Sequence, residues 1–164
     1  MASDLERIFA ALESTRARYL VVGGVAVVLH GHLRLTADLD LVVKLDEKNA
    51  KAVIDALTTL GFRPRAPVDA RDFADSAARK SWIDEKGLIV LSLWSPELPG
   101  TEVDLFVSEP FDFEEVDARA VVADLGTTTV RVLSRLDLIA MKRRAGRPKD
   151  LEDASVLESL GSDD

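Results

Sequence analysis

The chain has no cysteine among its 164 residues, which excludes a disulfide framework, a thiol nucleophile and a thiolate metal site. It has only two histidines, His30 and His32, and no partners at the spacing of a zinc centre. No apolar run approaches the roughly 20 residues that span a bilayer. The N-terminus is polar and lacks the charged-then-apolar pattern of a secretory leader, so a soluble, cytoplasmic protein is expected. Basic residues are in deficit, 21 Lys and Arg against 29 Asp and Glu for a net charge of −8. That balance argues against broad, charge-driven DNA binding while leaving room for a local basic site. Repeats and low-complexity linkers are also missing. What is abundant is apolar residue, 47% of the chain. Together with the length, this predicts one domain over residues 1–164, with an α/β core to residue 133 and helices over 134–161.

Local patterns divide the chain into elements. Ser3-Asp4-Leu5-Glu6 is a capping box, and Ile8, Phe9 and Leu12 give the first helix its apolar face. Residues 19–22 read as a buried strand, Gly23-Gly24 as a turn, 25–29 as a short helix ending near His30-Gly31, and 39–43 as a second strand. Asp46 caps a helix through Leu60, and Gly61 stops it. A short strand over 62–65 and a short helix within 69–80 follow. Strands over 88–94 and 103–107 are separated by a loop containing Pro96, Pro99 and Gly100. Residues 118–125 and 128–133 pair as a hairpin around Gly126. Ser134 caps a helix to about Ala145, Gly146 breaks it, and Pro148 opens a last helix to Leu160. The tail over 161–164 is expected to fray.

The chemistry concentrates in Gly23-Gly24, Arg34, Thr36 and Asp38-Leu39-Asp40. On a strand, residues i and i+2 share a face, so Asp38 and Asp40 point together while Leu39 enters the core. Paired carboxylates repel unless a cation lies between them, an arrangement suited to divalent ions that handle phosphates. Such a pair also occurs solvated and inert at strand ends. Glycines on a strand-to-helix turn let backbone N–H groups approach phosphate oxygens, although an ordinary tight turn reads the same way. Asp104 interrupts the apolar stretch 103–107. It is costly to bury unless paired or metal-bound, and it meets the first two acids if the strands are neighbours; the alternative is an exposed face of an edge strand. Arg34 and Thr36 are either phosphate contacts or a solvated loop.

Together these residues resemble the nucleotidyltransferase superfamily with the DNA-polymerase-β-like fold. In that superfamily a Gly-Gly or Gly-Ser turn precedes an Asp-x-Asp strand, and a third acid follows. The form Gly-Gly-x-Ala, His-Gly, Arg-x-Thr-x-Asp-x-Asp is most similar to the AbiEii-type group, which includes toxins of toxin–antitoxin and abortive-infection systems. Lys142, then Arg147-Pro148-Lys149-Asp150 and Asp153, is similar to that group's Lys…Arg-x-x-Asp-x-x-Asp motif. One departure is Gly24, which stands where a serine is common.

The resemblance implies a mixed sheet flanked by helices, with a C-terminal helical pair. It implies NMP transfer from an NTP to a hydroxyl of RNA, tRNA or protein, within a toxin–antitoxin-like system. Asp38, Asp40 and Asp104 would bind two magnesium ions, or manganese in their place, with Asp104 also a general base. Gly23 and Gly24 would cradle phosphates, Arg34 and Thr36 would orient them, and Lys142 and Arg147 would neutralise them. The implied partners are an NTP, an RNA or tRNA acceptor and a cognate antitoxin protein, with no membrane. A non-catalytic nucleotide- or partner-binding module of the same fold is one alternative; an antibiotic-type small-molecule nucleotidyltransferase is another. Lys142, Arg143, Arg144, Arg147 and Lys149 form a basic cluster that meets phosphates or merely solvates a helix end. Asp150 and Asp153 are expected to position basic neighbours. His30 is expected to pack at a helix end or to hold the acid-bearing loop, and Trp82 and Trp94 to serve the core or sheet.

Overall fold

The computed structural model describes residues 3–161. Helix α1 (Asp4–Ser14) begins where Ser3 Oγ accepts from the Glu6 N–H at 3.2 Å and the Glu6 carboxylate accepts from the Ser3 N–H at 3.3 Å, the reciprocal cap seen in the sequence. Strand β1 (Tyr19–Val22) leads into α2 (Gly23–Leu29), and β2 (Asp38–Val43) into α3 (Glu47–Thr59), capped by Asp46. The chain continues through β3 (Arg63–Pro64), a 3-10 turn (Ala70–Ala74), α4 (Ser76–Lys86), β4 (Val90–Trp94) and β5 (Glu102–Phe106). It ends with α5 (Phe113–Ala118), β6 (Val121–Asp124), β7 (Thr129–Val132), α6 (Arg135–Ala145) and α7 (Pro148–Gly161).

The strands form one mixed seven-stranded sheet in the order β3-β4-β5-β2-β1-β7-β6. Pairs β2–β5 and β1–β7 are parallel; the other neighbours are antiparallel. One hydrophobic core runs from Ile8 of α1 to Leu157 of α7. On β4 and β5 the alternation is strict: Leu91, Leu93, Val103 and Leu105 are buried, while Val90, Ser92, Trp94, Glu102, Asp104 and Phe106 are half-buried. One face of this part of the sheet therefore carries the core, and the other is left partly open. Among the described residues no helix is long and apolar enough to cross a membrane.

Several elements differ from the sequence reading. Helix α2 starts at Gly23 rather than after the glycines. The segment 69–80 splits at Asp75, whose side chain caps α4 through a bond from the Ala77 N–H. Strand β4 begins at Val90, not Leu88. Helix α5 was not expected; it is six residues long and buries only Phe113 and Val116, too short for helical periodicity to stand out. Of the expected frayed tail, residues 162–164 lie outside the described part of the chain.

Helices α6 and α7 meet at Gly146, whose φ is +69°. A Cβ there would find only ordinary contacts, the nearest at 3.6 Å, so the demand on this residue is conformational. Gly146→Ala is expected to lower stability by about 1–2 kcal/mol, the left-handed penalty, read as a reduced urea midpoint with an unchanged slope.

Candidate active site

Pairing of β2 with β5 sets Asp40 opposite Asp104 and Asp38 opposite Glu102. Leu39, Leu41, Val103 and Leu105, the alternate residues of these strands, are fully buried. A one-residue slip would bring the acids into the core, so the pairing is strongly specified. Strand β5 lies between β4 and β2, which removes the edge-strand reading of Asp104. On its other side Asp104 faces Ser92 of β4.

The electrostatics follow from this crowding. Burial, then the charge of Asp104 and, more weakly, of Asp38, push the Asp40 carboxyl up to about 7, with Lys142 opposing them. Asp104 is also raised, first by burial and then by Asp38, against a hydrogen bond from Ser92. Asp104 Oδ1 is buried with no hydrogen-bond partner. A buried, unpartnered carboxylate oxygen beside a second carboxylate suits a hard divalent cation in donor chemistry. The three acids do not close on one point: among the described residues no group of three or more His, Asp or Glu is arranged around an ion position. Asp40 and Asp104 are thus the paired donors, and exposed Asp38 lies at the rim.

The glycines make room for the acids. Gly23 has φ +69°, and a Cβ there would collide with the Asp40 carboxylate. A Cβ on Gly24 would lie 2.6 Å from Thr36 Oγ1 and 2.9 Å from an Arg34 guanidinium nitrogen. Thr36 Oγ1 also donates to the Asp38 carbonyl at 3.3 Å.

The facing wall comes from α6 and α7, through a run of alternating charges. Arg34 binds Asp153 at 3.0 Å; Asp153 binds Lys142 Nζ at 3.0 Å; Lys142 reaches Asp150 at 3.4 Å; and Asp150 accepts from Arg147 Nε at 2.7 Å. Lys142, Asp150 and Asp153 are 9%, 3% and 2% exposed. Burial works against ionised Asp150, but the Arg147 hydrogen bond and the charges of Lys142 and Arg147 hold its carboxyl below the usual range. Asp150 and Asp153 position basic neighbours, as the sequence predicted.

Two cavities adjoin the acids. A polar cleft of about 770 Å³ is lined by Gly24, Arg34, Thr36, Asp38, Asp40, Lys142, Arg147, Lys149 and Asp150, among others. Seven of the nine sequence-predicted site residues thus share one cleft; the other two, Asp104 and Gly23, lie outside its lining, beside Asp40. A second cavity of about 710 Å³ shares Asp40, Lys142, Arg147 and Asp150 with the first and includes Gly23, Val90, Phe106, Leu138 and Met141. This largely apolar chamber, the Ser92–Asp104 contact and the Arg34–Asp153 bond were not found from the sequence. Each joins elements distant in the chain, and only the half-polar alternation of β4 hinted at Ser92. The basic cluster divides: Arg143 turns away to Glu158, while Arg144 borders the chamber. His30 ends α2 and pairs Nε2 with the Leu133 carbonyl at 2.8 Å rather than holding the acid-bearing loop. Trp82 is buried, and Trp94 lies under the guanidinium groups of Arg63 and Arg65.

The model of one protein family, described as "Nucleotidyl transferase AbiEii toxin, Type IV TA system", matches residues 5–163. Among solved structures the chain is similar to the lincosamide antibiotic adenylyltransferase LnuA bound to lincomycin, with 16% identity, 95% of each chain covered and a TM-score of 0.63. It is also similar to the antibiotic-resistance factor ANT(2'')-Ia, with 15% identity, 97% of this chain and 83% of that one covered and a TM-score of 0.62. A second structure of that protein, in complex with adenylyl-2''-tobramycin, gives 16% identity, 97% and 88% coverage and a TM-score of 0.59. At these identities the likeness shows the fold. No curated protein matches the sequence.

The raised carboxyl of Asp40 fixes the sign of a pH effect. Its folded value, about 7, lies above the ordinary 3.8, so the folded state holds a proton that the unfolded chain releases between those values. Stability from this group is present below about pH 4 and is lost as pH rises through about 7. Asp40→Asn is therefore expected to melt above the wild type at pH 8 in chelator, by the equivalent of about 1–3 kcal/mol after allowing for solvent screening. The gap should close toward pH 4. Asp153→Ala leaves Arg34 without its carboxylate and Lys142 with one fewer, and is expected to cost about 3–5 kcal/mol in denaturant unfolding.

Proposed function

The chain belongs to the AbiEii nucleotidyl transferase family, and from that premise we propose that it transfers NMP from a magnesium-bound NTP to a hydroxyl acceptor. The observation that carries this reading is the register pair Asp40–Asp104, with an orphaned carboxylate oxygen, beside a cleft walled by Lys142, Arg147 and Arg34. Asp38, Asp40 and Asp104 would hold magnesium, or manganese, which when bound draws charge from the phosphates and lowers the pKa of the attacking hydroxyl.

The chain's own residues do the rest. Gly23 and Gly24, at the start of α2, would offer backbone N–H groups to phosphate oxygens. Arg34 and Thr36 orient the triphosphate from the loop before β2. Lys142 and Arg147, pinned by Asp150 and Asp153, offset the charge of the leaving pyrophosphate from fixed positions. Asp104 would accept the proton of the attacking hydroxyl. The family's description supports a role as the toxin of a toxin–antitoxin pair; a protein antitoxin as partner and RNA, tRNA or protein as acceptor rest on the motif resemblance alone. A small-molecule acceptor is the second reading, favoured by the lincomycin-bound and tobramycin-adduct neighbours.

The test is incubation with each labelled NTP, magnesium, and either total RNA or hydroxylated small molecules. Transfer that chelator abolishes is expected. Asp38→Ala and Asp104→Ala should each reduce it at least 100-fold with unchanged circular dichroism. Full activity in either variant would refute the assignment of that acid.

A further inference from the structure

We propose that the apolar chamber beside Asp40 is the acceptor's site, and that it takes a small hydroxyl compound with an apolar, ring-sized body. This rests on the nucleotidyl-transfer reading and takes its second acceptor class, the small molecule, against RNA. Displacement at a phosphoryl group places the attacking and leaving oxygens roughly in line. The Asp40–Asp104 row divides the open sheet face along the strands. Asp38, which lines the polar cleft, lies two residues to one side of it; Phe106 and its cross-strand partner Val90 lie to the other, in the chamber. Pyrophosphate leaving toward Arg34 and Lys149, which line the cleft and not the chamber, requires the hydroxyl to arrive from the chamber side. The nucleoside is joined through an equatorial oxygen of the α-phosphorus and departs across that line, not along it.

In the step itself, the acceptor oxygen forms a bond to the α-phosphorus as the bond to the α,β-bridging oxygen breaks. The bridging oxygen leaves with the electron pair as pyrophosphate, and the acceptor's proton passes to the Asp104 carboxylate.

The chamber's lining names the class of acceptor. Leu138, Met141 and Ala145 recur at i, i+3 and i+7 on α6 and form its roof, one face of the helix; Val90 and Phe106 form its floor. Ile89 at its edge is 73% exposed, an apolar surface for the ligand to cover. At about 710 Å³ it has the size of a small-molecule pocket, roughly 300–1,000 Å³. Its cations are few. Of the three cations that line it, Lys142 and Arg147 also line the cleft and serve the triphosphate there, and Arg144 alone of the three makes no ion pair among the described residues. A polynucleotide needs several free cations along its path; this lining serves a neutral body with at most one anionic group.

The probe is 6-hydroxynaphthalene-2-sulfonate, a fluorescent hydroxyl compound with two fused rings and one anion, titrated into the full chain. Saturable binding is expected, weakened at least tenfold in Met141→Trp, which fills the chamber, and about threefold or more in Arg144→Ala. Ala145→Trp, at the exposed end of α6, fills the same space if Met141→Trp fails to fold. Magnesium with a saturating α,β-methylene NTP, each of the four bases in turn, should leave the probe bound. The affinity of that analogue should change less than twofold in the filled variants. Displacement of the probe by the analogue would give the chamber to the nucleotide and overturn the proposal. So would displacement by a short single-stranded RNA, or binding indifferent to both filling variants. If no analogue binds at all, the nucleotidyl-transfer reading fails and the acceptor assignment with it, whereas competition between probe and analogue removes the acceptor assignment alone.

Discussion

Two carboxylates are held side by side by strand pairing they cannot escape. Asp40 and Asp104 occupy matched positions on parallel strands, and the buried leucines and valine between them fix that match. Moving either acid away would break the ladder or turn the core outward. The fold therefore accepts an unfavourable pairing at its centre, expressed as a carboxyl at Asp40 that titrates near 7. The charge of Lys142 opposes it in part, and a cation between the acids would do so more strongly.

That constraint organises what surrounds it. Gly23 is bare because the Asp40 carboxylate fills the space a side chain would need, and Gly24 because Thr36 and Arg34 fill the corresponding space one residue on. Beside Gly24 the nearest hydroxyl is that of Thr36. The run Arg34–Asp153–Lys142–Asp150–Arg147 then ties the loop before β2 to both C-terminal helices. Buried ion pairs are weak contributors to stability taken singly. Their use here is positional: cations kept at set places opposite the acids, with a polar cleft on one side and an apolar chamber on the other.

Features coded locally were legible in the sequence. The Ser3 capping box, the stops at Gly61 and Gly146, and the shared face of Asp38 and Asp40 each depend on residues within one turn or one strand. The assembly of Gly24, Arg34, Thr36, Asp38, Asp40, Lys142 and Arg147 around one cleft followed a motif resemblance more than any periodicity. What stayed hidden depends on distant pairing. That Asp104 opposes Asp40 requires β5 to lie beside β2, which a lone acid in an apolar run cannot declare. Arg34 and Asp153 are 119 residues apart. The chamber takes its floor from β4 and β5 and its roof from α6, each of which reads alone as ordinary core. Helix α5 escaped because six residues cannot display a helical period.

The central claim, that strand pairing holds Asp40 and Asp104 as mutually repelling carboxylates that a divalent cation would relieve, is tested most directly by carbon-13 NMR of the aspartate side-chain carboxyls across pH. In chelator the Asp40 carboxyl should titrate near 7, and saturating magnesium with a non-hydrolysable NTP should move that midpoint below the ordinary carboxylate range of about 4. A midpoint near 4 in chelator, unmoved by magnesium and nucleotide, would contradict the account.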